Sequence, residues 1–332
     1  MKKKGMSDVF RYILVLIGGV IVLLFFVRFA FQQVFLIESV NAVDIRETLN
    51  DYFNALSTVD EDMFTTAKIN SKVNINYPSC GDIGVKLKEG KSDSVRYSHI
   101  IFSPNMLDKE INVWAKKWSY PFDVDAFFYL LDRDTKIFLV GNSRLVNELI
   151  GVRRADGSCC AGSEYIDSRF NAEKRAAVDA NFIEEQAREY DNVIFVFFDQ
   201  EMINANLGNV KERKINAADC EDEKDDEKCR GSINFGDKQA FFAGKAMLYG
   251  AIFAGDSKNY ECGFDMAVKK LKLVSEIYDK KRLLLARLKP DCGKYAFSVN
   301  IDASNSNLMY NSMNGLIENN KVLVGGNCAK LF

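Results

Sequence analysis

The sequence predicts an α+β or α/β protein, with one N-terminal transmembrane helix followed by a mixed-sheet ectodomain and a helix-rich C-terminal section. Three observations carry that prediction. Tyr12–Phe31 reads YILVLIGGVIVLLFFVRFAF, with Arg28 as its one charge. Between Lys72 and Ala115 apolar side chains alternate with polar ones, the period of half-buried strands. Over Asn171–Tyr190 apolar residues recur every three or four positions, and beyond Gln239 this helical period dominates.

A helix over Tyr12–Phe31 rises about 1.5 Å per residue and so just crosses a hydrocarbon core of roughly 30 Å. Arg28 lies near one end, where its aliphatic stem can reach the headgroups. Lys2, Lys3, Lys4 and Arg11 precede the run and are opposed only by Asp8. This excess places residues 1–11 in the cytoplasm as a basic tail and the bulk of the chain outside the cell membrane. A cleaved signal peptide competes with this reading, but the run is long and its exit, VRFAFQQ, has no small-x-small cleavage site. A pilin-like surface subunit also competes, because Lys2–Gly5 is basic and ends in glycine. Against it, the apolar run starts late and no Glu stands five positions past Gly5.

The 332 residues leave enough chain outside the span for one large domain or two smaller ones. We read residues 32–70 as a membrane-proximal helical region and 71–332 as an extracytoplasmic α/β domain, with a division near 200–240 as the alternative. A net charge of −2 gives no basic excess for nucleic acid, which is therefore not an expected partner. His99 is the single histidine. It cannot supply a His-based metal cluster, and any His-dependent catalysis would have to use it.

Ile37–Leu56 has the spacing of an amphipathic helix, capped by Asn41 or Asp44, that would serve as a stalk or pack on its own domain. Strand patterns follow at Val73–Tyr77, Val85–Leu87, His99–Phe102 and Ile111–Ala115, with His99 a structural residue of its strand. Trp114, Trp118, Tyr120 and Phe122 form an aromatic patch that is either a partner interface or a packed cluster. Ala126–Leu131 is apolar without a clear period. Ile137–Val140 reads as a buried strand leading through Gly141 to a helix capped by Ser143. The absence of GxGxxG or GxxxxGK[ST] gives this unit no nucleotide-binding signature. Asn171–Tyr190 is predicted helical, and Val193–Phe198, apolar on both faces, is predicted to be a central strand. Helices are predicted over Gln239–Phe253, Asp265–Leu288 and Asn307–Asn319. In the longest of these, Met266, Leu271, Val274, Ile277, Tyr278, Leu284 and Leu285 form one broad apolar face. Its lysines face either solvent or membrane phosphates.

Eight cysteines suit a domain with a hydrophobic core and a few bridges on the oxidising side of a membrane. The candidates are Cys80, Cys159, Cys160, Cys220, Cys229, Cys262, Cys292 and Cys328. Cys159 and Cys160, being adjacent, are expected in two separate bridges. Cys262 and Cys292 flank one helix too widely to bridge each other, so Cys262–Cys328 and Cys292–Cys328 both remain open. Cys220 and Cys229 enclose Glu221, Asp222, Glu223, Asp225, Asp226 and Glu227. That loop could collect calcium, although it lacks the central glycine and ordered ligands of an EF-hand. Plain solvation is the competing reading.

Three blocks carry a resemblance: IIFSPNMLDKEINVWAKKWSYPFDVDAFFYL at Ile100–Leu130, GKAMLYGAIFAGDSKNYECGFDMAVKKLKLVSEIY at Gly244–Tyr278, and NNKVLVGGNCAKLF at Asn319–Phe332. With the apolar run in the corresponding place, they resemble uncharacterised archaeal single-pass membrane proteins. The resemblance implies a cell-envelope protein with a cysteine-containing extracytoplasmic domain, and it supplies no catalytic residues. The expected role is a noncatalytic, membrane-anchored ectodomain supporting a surface or envelope assembly, with the lipid bilayer and an envelope protein as partners. An extracytoplasmic hydrolase using paired carboxylates and a glycan- or metal-binding module are the alternatives.

Overall fold

The computed structural model describes residues 19–20, 22–24, 28, 47–58, 62–69, 72–80, 82–87, 92–96, 99–108, 110–150, 170–198, 200–218, 220, 228–294, 301–326 and 328–332. It is a mixed α+β architecture built in layers. Helix α1 covers described residues 47–57. One sheet has the order β1-β7-β8-β5, from Met63–Lys68, Glu110–Trp118, Asp125–Asp132 and Ile100–Phe102. A second, β4-β3-β2-β6, comprises Ser92–Arg96, Asp82–Leu87, Val73–Ser79 and Met106–Leu107. The third has the order β10-β9-β11-β12-β13-β14, from Ala172–Arg175, Thr135–Val140, Asn192–Phe198, Val210–Ala218, Arg230–Asn234 and Gln239–Ala243. Its first four strands are parallel and its last two join antiparallel.

The period-two alternation of a strand explains the layering. Along β8, Phe127, Tyr129 and Leu131 face the main core, whereas Ala126, Phe128 and Leu130 face a second cluster with Leu49 and Phe53 of α1 and Val73 and Ile75 of β2. Along β11, Ile194, Val196 and Phe198 face the main core. Val193, Phe195 and Phe197 face a third cluster with Ile183 of α3, Ala180–Glu189. Strands apolar on both faces are those with a layer on each side. Between the first and third sheets lies α4, Lys245–Phe253, every residue of which is buried. Helices α5, Ser257–Leu288, and α6, Ser306–Gly325, add Leu271, Met309, Met313 and Leu316 to the same core. The remaining helix, α2, spans Arg144–Ile150.

Helix starts follow local chemistry. The side chains of Asp179, Asp256 and Asn305 accept from the backbone N–H groups of Phe182, Asn259 and Leu308 at 2.8–2.9 Å, capping α3, α5 and α6. The Ser143 hydroxyl accepts from Val146 N at 3.3 Å, as its predicted cap role requires.

Several boundaries differ from the sequence reading. Residues 171–190 are not one helix: Asn171 turns at φ 46°, Ala172–Arg175 pair in parallel with β9, and the helix starts only after Asp179. Gln239–Phe253 divides at Gly244, where φ of 89° breaks the chain between strand β14 and helix α4. Asp256 caps α5, which starts at Ser257, eight residues ahead of the predicted Asp265. Strand β1 begins at Met63, inside the region 32–70 predicted to be helical, because it pairs with β7 along Met63–Lys68. Ile277 and Leu284, assigned by their spacing to one broad apolar face of α5, are 56% and 58% exposed, whereas Leu271, assigned with them, is buried.

Among the described residues no helix is long and apolar enough to cross a membrane. Most of the Tyr12–Phe31 run lies outside the described residues, as do Cys159, Cys160 and the carboxylates Glu221–Glu227. The other six cysteines pair as Cys80–Cys262, Cys220–Cys229 and Cys292–Cys328. Cys262–Cys328 is thereby excluded, and no cysteine among the described residues is left for separate bridges to Cys159 and Cys160.

Candidate functional site

In parallel sheets of this kind, ligands commonly sit at the carboxyl ends of strands where the winding order reverses. Here β10 and β11 flank β9 from opposite sides, so that point lies beyond Val140 and Phe198. It is closed by the chain itself. The Gly141 N–H donates to Arg175 O at 2.9 Å, and a Cβ at Gly141 would stand 2.4 Å from Phe198 O. The Gln200 amide donates across the gap to Ala176 O at 2.6 Å.

A recess lies elsewhere, a cleft of about 530 Å³ at the joint between α4 and α5. Its walls are the start of β12 with Glu212 and Arg213, the β13–β14 turn with Phe235 and Asp237, and Asp256 at the joint. Arg213 is buried, at 1% exposure. Its guanidinium donates to Ile252 O at 3.0 Å and to Ala254 O, carbonyls at the C-terminal end of α4, and it lies 5.5 Å from the Phe235 ring centroid. A helix C-terminus carries partial negative charge and unsatisfied carbonyls, so this cation both caps α4 and balances its dipole. Burial, partly offset by the Asp256 charge, lowers the Arg213 pKa to about 10, so the side chain is charged at neutral pH. Its Nε has no hydrogen-bond partner among the described residues.

The carboxylates of the cleft hold its walls. Glu212 accepts from Asn204 N at 2.7 Å and Ala205 N at 2.8 Å. Asp237 accepts from the Ser257 hydroxyl at 2.9 Å. Asp256 caps α5 through one oxygen and accepts from the Asn105 amide at 2.9 Å through the other. Carboxylates committed in this way shape a polar recess. Among the described residues no group of three or more His, Cys, Asp or Glu is placed to hold a metal ion.

A smaller recess of about 180 Å³ lies between Lys116–Tyr120 and Gly244–Ala246. Lys116 pairs there with Asp62 at 3.0 Å and stands 5.8 Å from the rings of Trp114 and Tyr249. Nothing in the sequence sets Arg213, Lys116 or Lys245 apart from surface cations; only their burial does.

Among the residues the sequence singles out, Trp114, Trp118, Tyr120 and Phe122 are 2%, 5%, 7% and 4% exposed. They belong to the main core, so the alternative of an exposed platform is not what this fold presents. His99 Nε2 meets Asn54 Oδ1 at 3.2 Å, and its ring lies edge-on to Phe128 at 5.3 Å. Burial, helped by the Lys270 charge, lowers its pKa to about 4, so it is neutral at pH 7. The structure brings Cys220 and Cys229 together, while the carboxylates between them fall outside the described residues.

Fold and recesses together define a layered, disulfide-bridged α+β protein whose buried charges are tied to its own backbone and side chains. Compared with protein-family models, curated proteins and solved structures, the chain shows no match to any.

Proposed function

We propose that the chain is a membrane-tethered, noncatalytic ectodomain that supports a cell-surface or envelope protein assembly. In this reading Tyr12–Phe31 spans the bilayer, residues 1–11 stay in the cytoplasm, and the folded body lies outside, as in the archaeal single-pass proteins its sequence blocks resemble. The observation that carries the reading is the set of three disulfides within one folded body. Such bridges persist in oxidising compartments and are kept reduced in most cytosols. The commitment of the cleft carboxylates to wall-forming hydrogen bonds supports a role in binding and scaffolding over catalysis.

Protease added outside intact cells, followed by mass mapping of unreduced peptides from the membrane fraction, tests the placement. Cleavage within the C-terminal half and recovery of the three bridged peptide pairs is the expected outcome. Protection of that half until lysis, with free thiols at those six cysteines, would overturn it. Crosslinking in membranes tests the assembly role, for which a stoichiometric envelope partner is expected. Recovery as an unassociated monomer counts against it.

A further inference from the structure

The second half of α5 presents apolar side chains to solvent although the helix is anchored on its other side. Leu273, Ile277, Leu284 and Leu288 are 58%, 56%, 58% and 85% exposed, while Leu271 and Ser275 on the opposite side are buried. At about 100° per residue these four fall within roughly 60° of arc, a stripe about 22 Å long. Leu283, 48% exposed, widens it. Contiguous exposed apolar surface marks a site of interaction, unlike a single stray leucine.

Charge decides among occupants. From Lys269 to Lys289 the helix and its cap carry eight cations and two carboxylates. Lys272, Lys280 and Arg287 are exposed along one flank of the stripe, beside Glu276, and Lys289 is exposed at its C-terminal end. Two such surfaces repel each other, which disfavours a second copy of this chain. An apolar stripe edged by Lys and Arg instead matches an anionic lipid surface, with leucines among the acyl chains and cations at the phosphates. Placement agrees. Helix α1, through which the chain arrives from the N-terminal apolar run, packs Leu49 and Phe53 into one cluster with Cys262 of α5. The stripe begins three turns further along that same helix.

We infer that Leu273–Leu288 of α5 lies in the interface of an anionic bilayer, so that the body rests on the membrane along this helix. The inference rests on the tethered reading above and adds a second membrane contact to it.

The test uses the full-length chain reconstituted into bilayers that contain a lipid with a photoreactive diazirine in its acyl chain, with labelled peptides mapped by mass spectrometry. In anionic bilayers label is expected both on the Tyr12–Phe31 peptide and on the peptide spanning Leu273–Leu288. Label on the second is expected to fall at least about fivefold in zwitterionic bilayers, because each cation near an anionic surface contributes about that factor. The double variant Ile277→Glu/Leu284→Glu should lose this label while keeping its three bridges and its melting temperature, since both side chains are exposed. Label confined to Tyr12–Phe31 leaves the tether standing and overturns the inference. Label on neither peptide overturns both. Protection of Leu273–Leu288 that follows protein concentration or an added envelope protein, and ignores lipid charge, assigns the stripe to a protein partner and also overturns it.

Discussion

Arg213 is a cation sealed between a helix end and a sheet, with backbone carbonyls as its hydrogen-bond acceptors. Two roles could keep it there. It could hold the end of α4, or it could wait for an anion entering the cleft beside it. The two give opposite results on replacement by methionine, which keeps the bulk and removes the charge. If Arg213 is a cap, Arg213→Met strands the carbonyls of Ile252 and Ala254 and costs about 2–4 kcal/mol. If it serves a ligand, removing a desolvated charge leaves stability unchanged or raises it. We expect the first, measured by denaturant unfolding, with Arg213→Lys intermediate because a single ammonium cannot span both carbonyls as the planar guanidinium does. An unfolding midpoint unmoved or raised in Arg213→Met would reassign the cleft as an anion site.

Helices α4 and α5 reach the sheet of β5 and β8 through the ring of Phe102. A Cβ placed on Gly250 of α4 would stand 2.7 Å from that ring, and one on Gly263 of α5 would stand 2.4 Å from it. Glycine at both positions lets two helices close on one aromatic side chain that is itself fully buried. Replacing a helical glycine by alanine ordinarily gains up to about 1 kcal/mol in propensity. Here the forced displacement of a packed ring costs about 1–3 kcal/mol. Gly263→Ala is therefore expected to lower the melting temperature, and Gly263→Ala combined with Phe102→Leu should recover part of the loss. A melting temperature raised by Gly263→Ala alone would mean that the ring has room to move.

Phe102 also marks the limit of what the sequence discloses. Strands whose apolar residues occupy both faces, as in Val193–Phe198, are legible because burial on two sides leaves no polar alternation. The Ser143 cap is legible, since a serine just before a helical run has a ready use there. The caps Asp179, Asp256 and Asn305 are not, because each lies beside or within a run whose spacing already looks helical. Residues 172–175 and 239–243 were not legible as strands, because their Ala, Glu, Lys and Gln favour helix locally and only pairing with β9 and β13 overrides that preference. Nor was the cleft: Arg213 sits in VKERKINAA among three other charges, and nothing within the strand says which of them points inward. On α5 the periodicity correctly gives an apolar surface but cannot tell that it has two sides, one against the core and one against solvent.

At the scale of the whole molecule the three bridges differ most in how much chain they close. Cys220–Cys229 spans 9 residues at the β12–β13 hairpin, Cys292–Cys328 spans 36 at the C-terminus, and Cys80–Cys262 spans 182. The last ties the β2–β3 turn to α5 and so fastens the second sheet to the body across most of the folded sequence. Val73 and Ile75 of β2 and Leu107 of β6 also anchor that sheet in the cluster beneath it. Loop-closure entropy grows with the logarithm of loop length, which gives about 2.5, 4 and 5 kcal/mol for the three bridges as upper values. Paired Cys→Ser replacements should therefore rank in that order. Cys80→Ser/Cys262→Ser is expected to lose about 3–5 kcal/mol in denaturant unfolding and to raise hydrogen exchange in β2 and β3 ahead of the remaining strands. A loss no larger than that of Cys220→Ser/Cys229→Ser would mean that the unfolded chain is already held compact. A large loss without faster exchange in β2 and β3 would place the bridge's effect in the unfolded state alone, as the entropic account requires in its pure form.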